Sequence, residues 1–233
     1  MPDFFAEEIV EQTAVLSKED SHHALRVLRI KPGELIRVSV NNHRYEASLE
    51  VRDDTVVARI LQEVRSSEAK TRITLYQGWP KGDKMDQIVR QATELGAYAI
   101  VPCIFSRCVA RPEQAHKRIE RLNKITREAA MQSGRTLIPV VEGLLDFDTL
   151  CERLQQHGQA LVPYELAGEM SLRTVHQDVR DIAIVIGPEG GFTADEIKQL
   201  PAVPVTLGPR ILRTETAGIA AIAMLLALAD DYK

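Results

Sequence analysis

Two short apolar runs near the C-terminal end of the chain each open onto a loop rich in glycine and proline. Residues 182–186 are followed by Gly-Pro-Glu-Gly-Gly, and residues 203–207 are followed by Gly-Pro-Arg-Ile-Leu-Arg-Thr-Glu-Thr. Short apolar runs bounded by such breakers are typical of buried strands. Because glycine lacks Cβ, a ligand can approach the backbone of these loops closely. The pattern predicts a backbone-lined binding site at the ends of two strands.

These loops match neither common nucleotide-binding fingerprint. A Walker loop needs G-x-x-x-x-G-K-[ST], and the dinucleotide fold needs G-x-G-x-x-G; residues 187–191 contain neither pattern. Thr193 and Glu196 predict a capping box, which places Asp195 and Glu196 in the first turn of the next helix, where negative charge disfavours a phosphate. For either loop alone, an ordinary strand-to-helix turn is an equally good interpretation.

The composition indicates an ordinary globular protein. The chain has 233 residues, of which 45% are hydrophobic and 27% charged, enough for one large or two small domains. The N-terminus lacks the features of a signal peptide, and residues 217–229 are too few to cross a membrane, so they indicate a buried helix. Cys103, Cys108 and Cys151 lack metal-ligand spacing, which predicts reduced thiols, a cytoplasmic protein, no metal and no cysteine nucleophile.

The first seventy residues differ in pattern from the rest. A short helix is expected at residues 21–29, followed by half-buried strands at 35–40, 45–51 and 55–64 with turns at Asn41-Asn42 and Asp53-Asp54. Residues 66–70 are polar and suit a linker. The sequence therefore predicts a first domain, residues 1–70, built as a small antiparallel sheet or barrel.

From residue 71 onward, strands alternate with helices. Apolar strands are expected at residues 73–78, 98–104, 137–141, 160–163, 182–186 and 203–207, with helices at 81–95, 112–132 and 147–156. This alternation predicts an α/β domain over residues 71–233, with a mostly parallel sheet covered by helices on both faces. Ligands of such sheets bind at the carboxyl ends of strands, where both glycine-rich loops lie and where Glu165 could add a third wall.

The net charge of −4 argues against indiscriminate binding of nucleic acid, which depends on neutralising many phosphates. Any RNA contact must use local basic patches. Arg26 and Arg29 belong to one candidate patch, and Lys117, Arg121 and Lys124 line one side of the helix predicted at 112–132. A solvated helix face balanced by acidic residues explains the second patch equally well.

The two loops also carry a family resemblance. The strings Ile-Gly-Pro-Glu-Gly-Gly-Phe at 186–192 and Leu-Gly-Pro-Arg-Ile-Leu-Arg-Thr-Glu-Thr-Ala at 207–217 resemble signature loops of the ribosomal RNA small subunit methyltransferase E family. That family belongs to the SPOUT class of S-adenosylmethionine-dependent RNA methyltransferases. Residues 27–33, 91–96 and 128–135 resemble further strings of the family, so the likeness covers nearly the whole chain.

The resemblance implies a specific architecture. It implies that residues 1–70 form a PUA-like barrel that holds RNA and that residues 71–233 form a SPOUT domain with a deep trefoil knot, in which S-adenosylmethionine binds. It also implies a homodimer that acts on small-subunit ribosomal RNA, expected within the ribosomal particle, with free RNA as the alternative substrate. The expectation of no metal and no membrane partner comes from the composition.

Site residues follow from the same resemblance. Arg213 is expected to stabilise charge on the carbonyl oxygens of the target base, and Glu215 to act as base or orienting partner; a purely local Arg–Glu pair that holds the loop is the alternative. Arg107 and Arg135 are expected to contact RNA, with subunit packing as the alternative. The residues expected to bind the cofactor are Glu165, Gly187, Pro188, Glu189, Gly190, Gly191, Leu207, Gly208, Ile211, Leu212, Thr214, Thr216 and Ala217.

The implied reaction is methylation of N3 of a uridine in 16S ribosomal RNA, at the position conventionally numbered 1498. One alternative is a non-catalytic RNA-binding module with a vestigial pocket. Another is a nucleotide-dependent enzyme that binds phosphate at the first glycine-rich loop, which the missing lysine and the acidic helix start disfavour.

Overall fold

The computed structural model describes residues 1–175 and 179–229. They form two compact units, each around its own sheet. The first unit contains residues 1–68 and 130–138, and the second contains residues 69–129 together with the described part of 139–233. The inclusion of 130–138 in the first unit is a feature that the sequence patterns did not indicate.

The first unit is a five-stranded sheet with the order β1-β3-β4-β5-β2. Strand β1 pairs with β3 in parallel, and the other neighbours pair antiparallel. Alternate residues of the strands bury a core that includes Phe4, Ile36, Leu49 and Val56. The elements are β1 (Asp3–Phe5), β2 (Thr13–Val15), α1 (Lys18–His22), β3 (Leu35–Val40), β4 (His43–Arg52) and β5 (Thr55–Val64).

Two tight turns fix the register of the central strands. Asn41 and Asn42 have φ of 49° and 65°, and Asp53 and Asp54 have φ of 47° and 60°. Positive φ at both central residues is the geometry that a two-residue hairpin requires, and Asn and Asp tolerate it well. The predicted hairpins and the strands between them are confirmed.

The predicted helix at 21–29 differs from the structure. Helix α1 begins earlier, because the Ser17 side chain accepts a hydrogen bond from the backbone N–H of Asp20 at 3.0 Å and caps the helix. A π-helical turn, His23–Val27, replaces its second half. Arg29 then ends it with a φ of 54°.

The second unit is a six-stranded sheet with the order β11-β9-β10-β6-β7-β8, and every neighbouring pair is parallel. The predicted parallel α/β unit is thereby confirmed, whereas the trefoil knot stays a prediction. The elements are β6 (Arg72–Gly78), α2 (Lys84–Leu95), β7 (Ala99–Cys103), α3 (Ala115–Ser133), β8 (Val140–Val141), α4 (Phe147–Leu154), β9 (Gln159–Pro163), α5 (Leu172–Val175), β10 (Asp181–Ile186), α6 (Ala194–Gln199), β11 (Val203–Val205) and α7 (Thr214–Leu228).

Helices cover both faces of this sheet. On one face, Leu75 and Ile184 pack with apolar residues of α2 and α7, among them Ile88 and Ile222. On the other face, Tyr76 packs in a second core that includes residues of α4 and α6. Burial on both sides explains why the strands are nearly continuous apolar runs.

Several helices and strands begin or end a few residues away from their predicted bounds. Strands β8 and β11 are shorter than predicted, and α2 begins at Lys84 rather than at residue 81. The predicted buried helix at 217–229 begins earlier, at Thr214. In the described part of the chain, no helix combines the length and apolar character needed to span a bilayer.

Candidate functional site

Two adjoining cavities lie at the carboxyl ends of the parallel strands in the second unit. The larger cavity has a volume of about 480 Å³ and the smaller one about 270 Å³. The loop after β9 and the segment between β11 and α7 line both cavities, and the loop after β10 lines the larger one. The residues lining both are Pro163, Glu165, Ile211, Leu212 and Ala217. The shared lining makes them two parts of one site.

A chain of hydrogen bonds ties the two glycine-rich loops together. The hydroxyl of Thr214, the first residue of α7, donates to the carbonyl oxygen of Gly187 at 2.6 Å. Gln77, fully buried at the end of β6, donates through Nε2 to Thr214 Oγ1 at 2.8 Å and to the carbonyl oxygen of Gly78 at 3.0 Å. We call these three residues, Gln77, Thr214 and Gly187, the loop clasp. The clasp fixes the distance between the loops through contacts within the protein.

Close packing explains two glycines of the first loop, Gly187 and Gly190, and the neighbouring Gly78 at the end of β6. A Cβ at Gly78 would lie 2.6 Å from the backbone nitrogen of Pro188, and one at Gly190 would lie 2.9 Å from the Cβ of Arg107. Gly187 lies against the ring of Phe192, where an added Cβ would be 3.1 Å from the nearest ring carbon. A side chain at any of these three positions would collide with a neighbouring residue, so glycine is required there by packing within the protein.

The second loop presents apolar side chains to the solvent. Gly208 has a φ of +116°, a conformation that glycine adopts readily and other residues avoid. Ile211 is 88% exposed although it borders both cavities, and Leu212 is partly buried beside it. A large apolar side chain held open at the mouth of a cavity suits contact with an apolar part of a ligand.

One lysine joins the two acidic residues of the loops. Lys84, at the start of α2, lines the larger cavity, and its Nζ lies 3.0 Å from Glu189 Oε1 and 3.2 Å from Glu215 Oε2. The approach to Glu189 has hydrogen-bond geometry, whereas Glu215 Oε2 is buried and makes an ion pair without a well-directed hydrogen bond. The backbone N–H of Lys81 also donates to Glu189, at 3.1 Å.

This network keeps both acids ionised. Burial alone would raise the pKa of Glu189, but hydrogen bonds from its own backbone N–H, from Lys84 and from Lys81 outweigh burial and lower it. Its own backbone N–H is the main cause of the lowered pKa of Glu215, with Lys84 and Arg213 adding to it. The hydrogen bond to Glu189 and then the close approach of Glu215 raise the pKa of Lys84. At neutral pH the three groups are therefore fully charged.

Arg213 occupies the N-cap position of α7 and lines the larger cavity. Its carbonyl oxygen accepts hydrogen bonds from the backbone N–H groups of Thr216 and Ala217, both at 2.8 Å. The side chain is exposed, and within the described residues it makes no hydrogen bond or ion pair. The backbone of Arg213 is thus anchored at the start of α7, and its exposed guanidinium is available to a ligand.

The predicted capping box of α6 is confirmed. The Thr193 hydroxyl accepts from the N–H of Glu196 at 3.1 Å, and the Glu196 carboxylate accepts from the N–H of Thr193 at 2.8 Å. Glu196 also accepts from the N–H of Ser106 at 2.7 Å, so it links the loop after β7 to α6. These hydrogen bonds overcome the effect of burial and lower the pKa of Glu196.

Comparison with known proteins identifies the family. The model of an RNA methyltransferase domain matches residues 67–226, and that of an RNA methyltransferase PUA domain matches residues 16–61. Ribosomal RNA small subunit methyltransferase E of Bacillus subtilis is 32% identical over 229 residues, which cover 91% of this chain and 89% of that protein. The chain belongs to the ribosomal RNA small subunit methyltransferase E family.

Other members of the family agree with this assignment. The Synechocystis protein of the same name is 34% identical over 236 aligned residues. The alignment covers 97% of this chain and 76% of the Synechocystis protein. A solved structure of the Neisseria gonorrhoeae enzyme of that name, bound to S-adenosyl methionine, is 34% identical, has a TM-score of 0.88 and covers 98% of each chain. The likeness extends over both units of this chain.

The structure gathers most of the residues expected to bind the family's cofactor. Gly187, Pro188, Glu189, Gly190, Gly191 and Thr214 line the larger cavity, Leu207 and Gly208 line the smaller one, and Glu165, Ile211, Leu212 and Ala217 line both. Thr216 is exposed and lies outside both linings. The Thr214 hydroxyl is engaged in the loop clasp, so its role in this structure is to hold the loops.

The residues expected to contact RNA are distributed over both units. Arg26 and Arg29 are exposed in the first unit, and Arg107, Lys117, Arg121 and Lys124 are exposed in the second. Arg107 donates to the carbonyl oxygen of Gly190 at 3.1 Å, and Arg121 pairs with Asp86. Arg135 is only 5% exposed, and its guanidinium lies 2.5 Å from Glu68 in the first unit. That burial disfavours an RNA contact by Arg135 and favours a structural role.

Sequence reasoning missed the loop after β6. Gly78 supports the first glycine-rich loop, Lys81 binds Glu189 through its backbone, and Lys84 joins the two acids. A signal was present: the string Gly-Trp-Pro-Lys-Gly at 78–82 follows a predicted strand, as the other two loops do. Among the described residues, no group of three or more histidines, cysteines and acids is placed to hold a metal ion.

Proposed function

We propose that this chain transfers a methyl group from S-adenosylmethionine to N3 of a uridine in 16S ribosomal RNA, the position conventionally numbered 1498. The observation that carries the proposal is the joined pair of cavities, in which two glycine-rich loops, an exposed isoleucine and an exposed arginine meet. The activity of the relatives supports it.

The site fits the methyl donor in size and chemistry. A cavity of about 480 Å³ lies within the range of small-molecule sites. The backbone of the loops can read the polar edge of adenine, and Ile211 and Leu212 can cover its apolar face. Glu165 and Glu189 supply negative charge for a ligand that carries an ammonium and a sulfonium group. When bound, the donor supplies an electrophilic methyl group.

The chain's own residues must prepare the acceptor. Uridine N3 carries a proton and becomes nucleophilic when that proton is lost, with negative charge spreading onto the neighbouring carbonyl oxygens. Arg213 is suited to stabilise that charge, because its guanidinium lines the larger cavity, is exposed and is always protonated. We therefore assign Arg213 as the catalytic donor to the base.

The role of Glu215 follows from its surroundings. A lowered pKa makes a carboxylate a weak proton acceptor, and Glu215 is already engaged with Lys84. These observations favour the orienting role over the role of general base. The proton then leaves to another acceptor, with water as the simplest candidate.

Titration of the purified protein with S-adenosylmethionine and with ATP tests this proposal against the alternatives. The proposal expects binding of S-adenosylmethionine alone. A non-catalytic RNA-binding module would bind neither ligand, and a phosphate-binding enzyme would bind ATP. The loop clasp and the exposed Arg213 favour a working site over a vestigial one.

The proposal includes the substrate and setting of the reaction. Arg26 and Arg29 of the first unit and Arg107, Lys117, Arg121 and Lys124 of the second are proposed to contact RNA phosphates. The ribosomal particle as substrate, a homodimer as the active form and action in the cytoplasm are carried over from the family resemblance.

A further inference from the structure

We propose that Lys84 is a positioning residue that partly neutralises Glu189 and Glu215 at the larger cavity. Because of this, the two acids do not stabilise the bound cationic methyl donor more than the transition state of methyl transfer. The inference rests on the proposed function. It concerns a residue that neither the sequence patterns nor the resemblance singled out.

The geometry places one positive group between two negative ones. The Lys84 Nζ contacts Glu189 Oε1 of the first glycine-rich loop and Glu215 Oε2 at the start of α7. The two carboxylates can be no further apart than the sum of those two distances. Without the ammonium group, two like charges would lie close together at the partly exposed edge of the cavity.

The charged side chains of the larger cavity balance only when Lys84 is counted. Lys84 and Arg213 are the positive residues of the lining, and Glu165 and Glu189 are the negative ones. Glu215, whose side chain is 14% exposed, lies outside this lining, pairs with Lys84 and adds a further negative charge. Removing Lys84 would leave the cavity with an excess of negative charge.

Excess negative charge would oppose methyl transfer to an anionic base. The donor begins with a positive sulfur and ends as a neutral thioether, so the positive charge on sulfur decreases as the methyl group leaves. Unneutralised carboxylates at Glu189 and Glu215 would then stabilise the positive starting complex more than the transition state, and the reaction would be slower. They would also raise the energy of the deprotonated base. Lys84 offsets both effects by pairing with the acids.

A purely mechanical role predicts a different result. If Lys84 only ties the loops together, its removal should loosen the site and weaken every ligand alike. If it sets the charge, its removal should strengthen binding of a cation relative to a neutral ligand of the same shape. S-adenosylmethionine and S-adenosylhomocysteine form such a pair, since they differ by the methyl group and the sulfonium charge.

The test is calorimetric binding of both ligands to the full chain and to Lys84→Met. We expect the preference for S-adenosylmethionine over S-adenosylhomocysteine to rise on the order of threefold to tenfold in Lys84→Met. We also expect kcat to fall while KM for the donor does not rise. Lys84→Arg should keep the wild-type preference because it keeps the charge.

Two further variants complete the test. Lys198→Met, on the exposed end of α6, is the matched control and should leave both affinities unchanged. Glu189→Gln should lower the preference for the cation, and it provides a second reading if Lys84→Met does not fold. Equal weakening of both ligands in Lys84→Met, or an unchanged preference in both variants, overturns the inference. A wild-type protein that binds neither ligand overturns the proposed function and this inference with it.

Discussion

The hydroxyl of Thr214 donates a hydrogen bond of 2.6 Å to the carbonyl oxygen of Gly187, and so joins two loops that are 27 residues apart in the chain. Gln77 holds the Thr214 oxygen from the opposite side at 2.8 Å. Gln77 and Thr214 are buried, and Gly187 is partly buried. Hydrogen bonds within the protein therefore hold the two loops together, which reduces the ordering cost of ligand binding.

Replacing Thr214 with valine should break the loop clasp while keeping the shape of the side chain. We expect the free energy of unfolding to fall by about 1–3 kcal/mol, because the Gly187 carbonyl and the Gln77 amide lose their shared partner in a buried position. Binding of S-adenosylmethionine should weaken as well. Urea denaturation and calorimetry measure the two effects. Thr55→Val, in the five-stranded sheet, makes the same chemical change away from the clasp and should have little effect on donor binding.

Replacing Gly78 with alanine should displace the first glycine-rich loop. The added Cβ would lie 2.6 Å from the Pro188 nitrogen, and backbone atoms cannot easily give way. We expect a loss of about 1–3 kcal/mol in stability and a clear loss of donor affinity. Gly143→Ala is the matched control, because no atom lies within 4 Å of the added carbon there. Equal tolerance of both changes would contradict the packing described for this loop.

Replacing Ile211 with alanine should affect binding and not folding. The side chain is 88% exposed, so its loss should change the free energy of unfolding by no more than about 0.5 kcal/mol. Covering it with the donor should contribute about 1–2 kcal/mol, which corresponds to roughly a tenfold weaker affinity in the variant. Calorimetry and thermal melting separate these effects. Val109→Ala removes a side chain that is 70% exposed and should change neither quantity. Unchanged donor affinity in Ile211→Ala would exclude contact between this side chain and the ligand.

Replacing Arg213 with alanine should abolish methylation and leave donor binding largely intact. Loss of a single charge-stabilising donor typically lowers kcat by about 10²–10³-fold. Arg173→Ala, on the exposed face of α5, is the control for a lost surface charge. Single-turnover assays with labelled donor and small ribosomal subunits measure the step. Retained turnover in Arg213→Ala would refute its assignment as the catalytic residue.

The parts of the fold that follow from local chemistry were predictable. Strands β3 and β5 agree with their predicted bounds because alternation and paired turn residues fix them. Strands β1 and β2 were missed, since three residues give no periodicity. The return of residues 130–138 to the first unit depends on long-range packing, including the pair between Arg135 and Glu68, which no local pattern encodes.

The same limit applies to the site. The glycine-rich loops could be recognised because composition and strand position point to the same place. Lys84 could not, because its contact with Glu189 joins residues 105 positions apart, and a lysine at a helix start carries no distinctive pattern. Gln77 was missed for the same reason, since its contact with Thr214 joins residues 137 positions apart and a glutamine within a strand carries no distinctive pattern.

The most direct test of the proposed reaction is nucleoside mass spectrometry of 16S ribosomal RNA. Small subunits from cells lacking this gene are incubated with the purified chain and S-adenosylmethionine, and the RNA is digested and analysed. The proposal expects one N3-methyluridine per 16S molecule to appear with the wild-type chain and to be absent with Arg213→Ala. A methyl group on a ribose or on another base, or no methylation at all, would contradict it.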